Sequence, residues 1–467
     1  MLRVFKKYYP IRNVFFVIGE GLFIFVSVVL ASWIILGTEA FIYDHYIWLK
    51  ILLITFVCQT CLYYNDMYDI KVSENYKEIG LRLIQALGFS AIFLAIVYLL
   101  VPQAIIGTGI FLISISFVVL LIVSWRFCYT LILDRGMFNQ RIILLGSADL
   151  IGKIKLEITE RKDCGYDIAA EVPETKRKDR PNNDSLENPK DVIGQKYEGL
   201  SKLARAKGIE KIVVALQEKR NNFPIKELLK CRVNGIEVVD GNSFYEMLTG
   251  KLVVKAINPS WLIFSEGFRK SRTRRFLKRA VDVILSFIMM VVFLPLMGII
   301  AILVKLDSKG PVIFSQDRVG EKEKRYRMHK FRSMVEDAEK ICGPVWAQDC
   351  DVRITRVGKI IRKLRMDELP QLWNVLKGNM SFVGPRPERD FFVKDLEKKV
   401  PYYSERFTVK PGITGWAQVS YGYGASEEDA IEKLNYDLFY IKNMSFFMDL
   451  MIVLHTIKIV LFRKGAR

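Results

Sequence analysis

Long apolar runs constrain this chain more than any other feature. Residues 83–101 and 104–125 carry no charged residue, residues 13–37 carry only Glu20, and residues 46–64 carry only Lys50. Each is long enough to cross a hydrocarbon layer of roughly 30 Å as a helix. Backbone inside that layer must satisfy its own hydrogen bonds, so these runs predict a four-helix transmembrane bundle over residues 1–135. The composition agrees, with 51% apolar residues and a mean hydropathy of +0.19. The first run, 25 residues without a small-residue cleavage site, reads as a membrane helix rather than a cleaved leader.

The loop charges set an orientation. Arg3, Lys6, Lys7 and Arg12 precede the first run, whereas Glu39 and Asp44 are the charged residues between the first and second. Lys71, Lys77 and Arg82 precede the third run, and Arg126, Arg135 and Arg141 follow the fourth. The positive-inside rule then places the N-terminus and everything after residue 126 in the cytoplasm.

A fifth run, residues 283–304, is uncharged, but cations crowd both of its flanks. Residues 269–279 hold seven Lys or Arg out of eleven, and Lys305, Lys309, Arg318, Lys322 and Lys324 lie beyond the other end. Both flanks prefer the cytoplasm, and Pro295 removes a backbone donor in mid-run. The expectation is a re-entrant helix at about 280–306 that enters one leaflet and returns. The alternative is an ordinary fifth span. Residues 444–462 are interrupted by Asp449, His455 and Lys458, which predicts an amphipathic helix lying on the leaflet.

Net charge excludes little on its own. There are 69 Lys and Arg against 50 Asp and Glu, a balance of +19. It suits anionic lipid or phosphorylated substrates. Much of the excess flanks apolar runs, so no nucleic-acid partner is expected. Seven Cys in so long a chain exclude a disulfide scaffold. Cys58 and Cys61 form C-x-x-C inside the second helix and read as packing. The three His are scattered without metal-ligand spacing.

Residues 136–262 predict a Rossmann-like cytoplasmic α/β module. RIILLG (141–146), KIVVALQ (211–217) and IEVVD (236–240) read as strands, with a helical IKELLKCRVNG between the last two. The turn after the first strand offers only Gly146 and Gly152 of a dinucleotide fingerprint, with Asp149 where a pyrophosphate would approach. A structural or regulatory role is expected there, and residues 171–191 read as a loop.

Polar motifs concentrate between residues 310 and 440. Asp367 and Glu368 stand before Pro370, which is pre-organised for a first helical turn, and Gly378 can end that helix. Adjacent carboxylates repel, so one holds a proton unless a cation compensates. An ionised carboxylate beside a proton-handling one equips a site for nucleophilic attack with acid–base help. The alternative is an exposed helix cap. Arg362 and Arg365 lie just upstream. Arg386 sits between two prolines, which present its guanidinium rigidly to a phosphate. The alternative there is a solvated arginine on a rigid turn.

With these residues in view, the segment from about 275 to 467 resembles the bacterial sugar transferase domain of monotopic polyprenyl-phosphate phosphoglycosyl transferases. The resemblance is carried by the basic stretch before a Pro-broken apolar helix, QDRVG, HKFRSM, DVRITRVG, DELPQLWNVLKGNMSFVGPRP and KPGITGW. Tyr436, Asp437, Tyr440, Asn443, Ser445 and Asp449 also fit. Four N-terminal helices plus an α/β module resemble the large, WbaP-like, exopolysaccharide-initiating branch. The resemblance implies an α-rich catalytic domain over residues 263–467 in a bacterial inner-membrane protein. It implies transfer of sugar-1-phosphate from a cytoplasmic UDP-sugar, glucose or galactose first, to undecaprenyl phosphate with release of UMP. Asp367 matches the family nucleophile and Glu368 its dyad partner, with Mg²⁺ implied at the pair. Lys330, Arg332, Arg362, Arg365 and Arg386 are the substrate-binding candidates. A homodimer is a further implication, and the basic run 269–279 is expected to grip lipid headgroups. Relatives often carry Ser before the helix-breaking Pro, where this chain has Leu294. The rival reading is a non-catalytic membrane scaffold, or a nucleotide-sensing regulator of polysaccharide assembly.

Overall fold

The computed structural model describes residues 2–4, 7–9, 11–38, 41, 43–68, 76–107, 109–136, 139–161, 164–173, 197, 199–216, 223–256, 267–268, 270–335, 353–422, 424 and 426–462. Most of the expected 171–191 loop, the boundary near 262, Cys342, Cys350 and the start of DVRITRVG lie outside them. The chain divides into two compact units. One holds Met1–Arg3 and Tyr8–Phe244, the other Val4–Lys7 and Tyr245–Arg467.

In the first unit, four helices precede the sheet: α1 (Ile11–Leu36), α2 (Ile47–Tyr64), α3 (Tyr76–Leu100) and α4 (Ile110–Asp134). All four are long and apolar enough to cross a membrane. α1 packs on α4 and α2, and α2 packs on α3. Ile24, Val28, Ile51, Leu62, Leu83 and Ile122 are buried between them, while Phe15, Leu22, Phe56, Leu99 and Leu112 face outward. Helices apolar on every side are what a lipid solvent allows. The one charge of the first run finds a partner inside: Glu20 meets Arg126 at 2.6 Å, and Arg126 donates to the Met67 carbonyl at 2.9 Å.

Two boundaries differ from the sequence expectation. The fourth helix covers 110–134 rather than 104–125, because Pro102–Ala104 form a 3-10 turn and Gly109 adopts φ +85°. Hydropathy counts those residues as apolar without registering that they break a helix. The third helix starts at Tyr76, extending through Lys77, Glu78 and Arg82 before its apolar part.

Among the described residues, the α/β part has four parallel strands, β1 (Gln140–Gly146), β2 (Tyr166–Pro173), β3 (Lys211–Ala215) and β4 (Glu237–Asp240), in the order β2-β1-β3-β4. β1 and β3 are central and buried, as their unbroken apolar runs require. The edge strand β2 escaped the sequence reading because YDIAAEVP carries Asp and Glu. Helices α5 (Ala148–Glu160), α6 (Leu200–Ala206) and α7 (Ile225–Val233) connect the strands, and α8 (Gly241–Thr249) follows β4.

The longest helix of the second unit is α9 (Arg272–Asp307), a single 36-residue helix that runs through Pro295. At 1.5 Å per residue its path is about 54 Å. Ile284, Phe287, Val291, Leu294, Ile299 and Ile302 are exposed along it. After α9 come an antiparallel pair, β5 (Ile313–Val319) and β6 (Arg325–Phe331), then α10 (Arg356–Lys363). A 3-10 turn at Met366–Glu368 leads into α11 (Gln371–Lys377). Pro370 stands immediately before α11, and Gly378 ends it at φ +89°. The short strands β7 (Ser381–Val383) and β8 (Gly412–Thr414) pair in parallel. Helices α12 (Asp390–Lys399), α13 (Trp416–Ser420), α14 (Glu427–Asn443) and α15 (Phe446–Phe462) complete the unit. α14 starts with a reciprocal Ser426–Asp429 capping box.

The core gathers Val319, Val383, Leu396, Trp416, Leu434, Leu438, Tyr440 and Ile452. Its polar seams are paired: Asp449 accepts from Lys278 and from the Tyr440 hydroxyl, each at 2.7 Å. The expected lipid-gripping run is therefore divided. Lys278 and Arg279 turn inward, while Arg272, Arg274 and Arg275 are exposed beside exposed Phe276 and Leu277.

The glycines of VGPRP and KPGITGW face one another. A Cβ on Gly384 would lie 2.4 Å from the Lys410 carbonyl oxygen, one on Gly412 2.1 Å from the Gly384 nitrogen, and one on Gly415 2.2 Å from the Gly384 oxygen. All three neighbours are backbone. Gly384→Ala is expected to destabilise the unit by about 1–3 kcal/mol through overpacking. An unchanged melting temperature in detergent would show that the two backbones can part.

Candidate functional site

The site is assembled around Glu368. Asp367 and Glu368 lie in the 3-10 turn just ahead of α11 and are 7% and 8% exposed. Arg365, the residue before that turn, takes φ +56°, a left-handed conformation that non-glycine residues seldom adopt. The turn aims Glu368 inward. Its Oε1 accepts from Lys330 Nζ at 3.1 Å and from Arg386 Nη2 at 3.3 Å, and lies 3.8 Å from Arg365 Nη1. Asp367 accepts no hydrogen bond from the described residues; Lys330, Arg362 and Arg365 act on it through space.

This geometry separates the two carboxyls. Burial alone would raise Glu368, but Lys330, Arg386 and Arg365 outweigh it and hold the carboxyl far below its usual range. Burial raises Asp367; Lys330 opposes that rise and the neighbouring Glu368 charge adds to it. Burial also lowers Lys330, against the pull of Glu368. One dyad member is thus a fixed anion, and the other is the more basic carboxylate. The sequence expected a split of this kind, but the identity of the fixed anion depends on which cations converge.

Each cation is held by its own element. Lys330 projects from β6, and α11 is fastened to that strand by Asn374. Its Oδ1 accepts the His329 N–H at 3.0 Å, and its Nδ2 donates to the Arg327 carbonyl at 2.8 Å. Asn374 is fully buried in the apolar run LWNVL and was missed as a functional residue; a polar side chain there was the available signal.

Arg386 is held through the backbone of its turn. The Pro385 carbonyl accepts the Gly412 N–H at 2.9 Å, the Arg386 carbonyl accepts from Arg406 Nη2 at 3.0 Å, and the Pro387 carbonyl accepts from Arg318 Nη1 at 3.2 Å. Arg406 is in turn paired with Asp437 at 2.9 Å, where burial pushes the carboxyl up to about 6 against the pull of the arginine. QDRVG and KPGITGW thereby share one task, fixing the Pro-Arg-Pro turn. The Arg386 side chain stays 37% exposed.

Arg332 is placed differently. Its buried guanidinium donates to the Val304 carbonyl at 3.3 Å, the Ser308 carbonyl at 2.6 Å and Ser308 Oγ at 2.9 Å. Its Nε and Nη1 have no hydrogen-bond partner among the described residues. Lys330, Arg365 and Arg386 contact Glu368, Arg362 acts on Asp367 electrostatically, and Arg332 reaches the end of α9. Pro295 lies within α9, away from these contacts.

A buried acid pair ringed by cations, one of them partly exposed, joined to a long apolar helix, fits a membrane-associated protein that handles phosphate. The family model for bacterial sugar transferases matches residues 273–463. An undecaprenyl-phosphate galactose phosphotransferase of Salmonella typhimurium is 30% identical over 373 residues, covering 73% of this chain and 75% of that protein. The chain belongs to the bacterial sugar transferase family. A UDP-N-acetylgalactosamine-undecaprenyl-phosphate N-acetylgalactosaminephosphotransferase of Aeromonas hydrophila is 44% identical, over 51% of this chain and 56% of that protein. An undecaprenyl-phosphate glucose phosphotransferase of Komagataeibacter xylinus is 39% identical, over 40% of this chain and 36% of that protein. The chain thus spans about half the length of the first of these two and about a third of the second.

The Glu368 arrangement makes a pH prediction. A carboxyl depressed in the folded state contributes stability that is complete above its ordinary value of 4.5 and is lost as pH falls through the folded value. Glu368→Gln should therefore lower the melting temperature at pH 7, and the gap to the parent should narrow as pH drops below 4.5. A gap independent of pH would mean that Glu368 is not held as the ion.

Proposed function

We propose that this protein transfers sugar-1-phosphate from a UDP-sugar to undecaprenyl phosphate and releases UMP, initiating assembly of an exopolysaccharide or O-antigen-type glycan. The carrying observation is the buried dyad, in which three cations compensate Glu368 and leave Asp367 without a hydrogen-bond partner among the described residues. In the proposed first step, an Asp367 oxygen attacks the β-phosphorus of the donor. The bond from that phosphorus to the bridging oxygen breaks, and UMP leaves with the electron pair. In the second, an oxygen of polyprenyl phosphate attacks the aspartyl phosphosugar, the Asp367 carboxylate is regenerated, and a polyprenyl diphosphosugar departs. Burial makes Asp367 the more basic member, which suits a nucleophile. Arg386, with Arg362 and Arg365 nearby, supplies positive charge for the diphosphate.

The donor set fits magnesium. The ion takes one or two carboxylates together with phosphate oxygens and water, and Asp367 offers a carboxylate with no competing donor among the described residues. Glu368, already neutralised by lysine and arginine, is the weaker candidate ligand. When bound, magnesium would neutralise donor phosphate charge.

We further assign the protein to the bacterial inner membrane, with a transmembrane part at 1–135, a cytoplasmic module at 136–262 and a cytoplasm-facing catalytic part at 263–467. Two copies would form a homodimer. A re-entrant α9 is supported by its anchors. Near one end Asp282 accepts from Ser381 Oγ at 2.7 Å, and at the other Asp307 accepts the Val357 N–H at 2.8 Å. Both partners belong to the unit that carries the dyad, so both ends of the helix belong on one side of a bilayer.

Two experiments test this reading. Purified protein with magnesium and undecaprenyl phosphate should release UMP from one member of a panel of UDP-glucose, UDP-galactose and UDP-N-acetylgalactosamine. Asp367→Asn should abolish that release while leaving membrane insertion intact. Turnover by the variant would remove Asp367 as nucleophile. Separately, single cysteines placed at Val281 and Leu306, exposed positions at the two ends of the apolar run, in a cysteine-free background should both be labelled from the cytoplasmic side only. External labelling of either would exclude the re-entrant path.

A further inference from the structure

The two ends of α9 are clamped by arginines, and both clamps lead to the dyad. Arg279 donates from Nη1 to the Val375 carbonyl at 2.5 Å and from Nη2 to the Leu376 carbonyl at 2.8 Å. These carbonyls belong to the last turn of α11, where that of Val375 also accepts the Gly378 N–H at 2.9 Å. Asp282, three residues further along α9, holds the Phe382 N–H at 3.0 Å beyond the same helix. At the other end, Arg332 holds the Val304 carbonyl of α9 and the carbonyl of Ser308 just beyond it.

The path from each clamp to the chemistry is short and rigid. α11 begins three residues after Glu368, so a shift of its C-terminal end moves the dyad turn. Arg332 follows β6, two residues after Lys330. Asn374 ties α11 to β6 between the clamps. The Lys330–Glu368 contact therefore lies inside a loop of connections that closes through α9.

We propose that Arg279 and Arg332 are positioning residues, which lock the dyad turn and its compensating lysine to the two ends of a single membrane-embedded helix. The proposal rests on the phosphoglycosyl transfer reading. It gives Arg332 a role through Lys330 in place of the direct substrate contact expected from sequence. For Arg279 it assigns a forked contact to two carbonyls, where a lipid headgroup would need only a positive charge. Lysine preserves the charge but is a point donor that cannot reproduce the planar fork. At Arg279 the Arg→Lys exchange removes the fork; at Arg332, whose contacts all leave from Nη2, it leaves the shorter side chain's one nitrogen short of those acceptors, so each exchange breaks the clamp while keeping the charge.

The test uses the full chain in lipid nanodiscs. Arg279→Lys and Arg332→Lys should each lower kcat for UMP release by about tenfold, with KM for the UDP-sugar within about twofold, a loss of transition-state positioning rather than of uniform binding. Amide hydrogen exchange should rise across 371–378 in Arg279→Lys while remaining unchanged across 427–443. Full activity and unchanged exchange in Arg279→Lys would overturn the clamp in favour of a charge role at the headgroups. A raised KM with unchanged kcat in Arg332→Lys would overturn it in favour of direct substrate binding. If a lysine variant fails to fold, the glutamine variant at the same position is read by the same two measurements. Wild-type protein that releases no UMP from any donor refutes the transfer reading instead, and hydrogen exchange alone then decides the clamp.

Discussion

The ionised Glu368 carboxylate, almost closed off from water, is the constraint on which the second unit depends. Removing one partner from a buried ion pair typically costs about 3–5 kcal/mol, because the remaining charge is left uncompensated. Glu368 is compensated only where Lys330, Arg365 and Arg386 converge. Those residues come from a strand, a strained turn and a proline-flanked turn, which no local preference brings together. Much of the surrounding architecture holds these three pieces in place: Asn374 joins α11 to β6, and Gly412, Arg406 and Arg318 each take one carbonyl of the Pro-Arg-Pro turn. The dyad thereby acquires two unlike carboxyls from adjacent positions. The proposed function draws on that inequality, in which a fixed anion organises cations and its more basic neighbour is the candidate nucleophile.

The first unit meets a related problem in a different solvent. Glu20 and Arg126 are ionisable groups on helices whose other faces are mostly apolar, and they form an ion pair at 2.6 Å. Arg126 also takes the Met67 carbonyl just beyond α2. Intramembrane charges are tolerated when they are paired and face the interior. Here the pairing links α1, α4 and the end of α2. Outward-facing side chains on those helices, being mostly apolar, carry little information about neighbours.

Legibility in the sequence followed the physics of each feature. Apolar runs announced α1 to α4 and α9 because bilayer thickness sets a length that composition can register. The buried strands β1 and β3 were equally plain. The start of α4 was not, since Pro102 and Gly109 act through backbone geometry that hydropathy does not count. β2 was hidden because an edge strand need not be apolar. In the site, Asp367, Glu368 and Arg386 stood out through their neighbours Pro370, Pro385 and Pro387. What escaped was long-range: which carboxyl carries the charge, the part played by Asn374, and the direction Arg332 takes. Those depend on contacts between segments dozens of residues apart, and a linear pattern holds no record of them.

The anchoring of α9 at both ends has an evolutionary consequence. If α9 enters the bilayer as proposed, the exposed side chains between Val283 and Leu303 face lipid, so one aliphatic or aromatic residue serves nearly as well as another there, and the composition can drift. Length cannot. One inserted residue would rotate the far end of the helix by about 100° and advance it by about 1.5 Å, turning Asp307 away from the Val357 N–H and moving the carbonyls that Arg332 holds. Substitutions should accumulate freely in this segment among descendants of the chain, while insertions and deletions are removed, so that the number of residues, rather than their identity, is the inherited quantity.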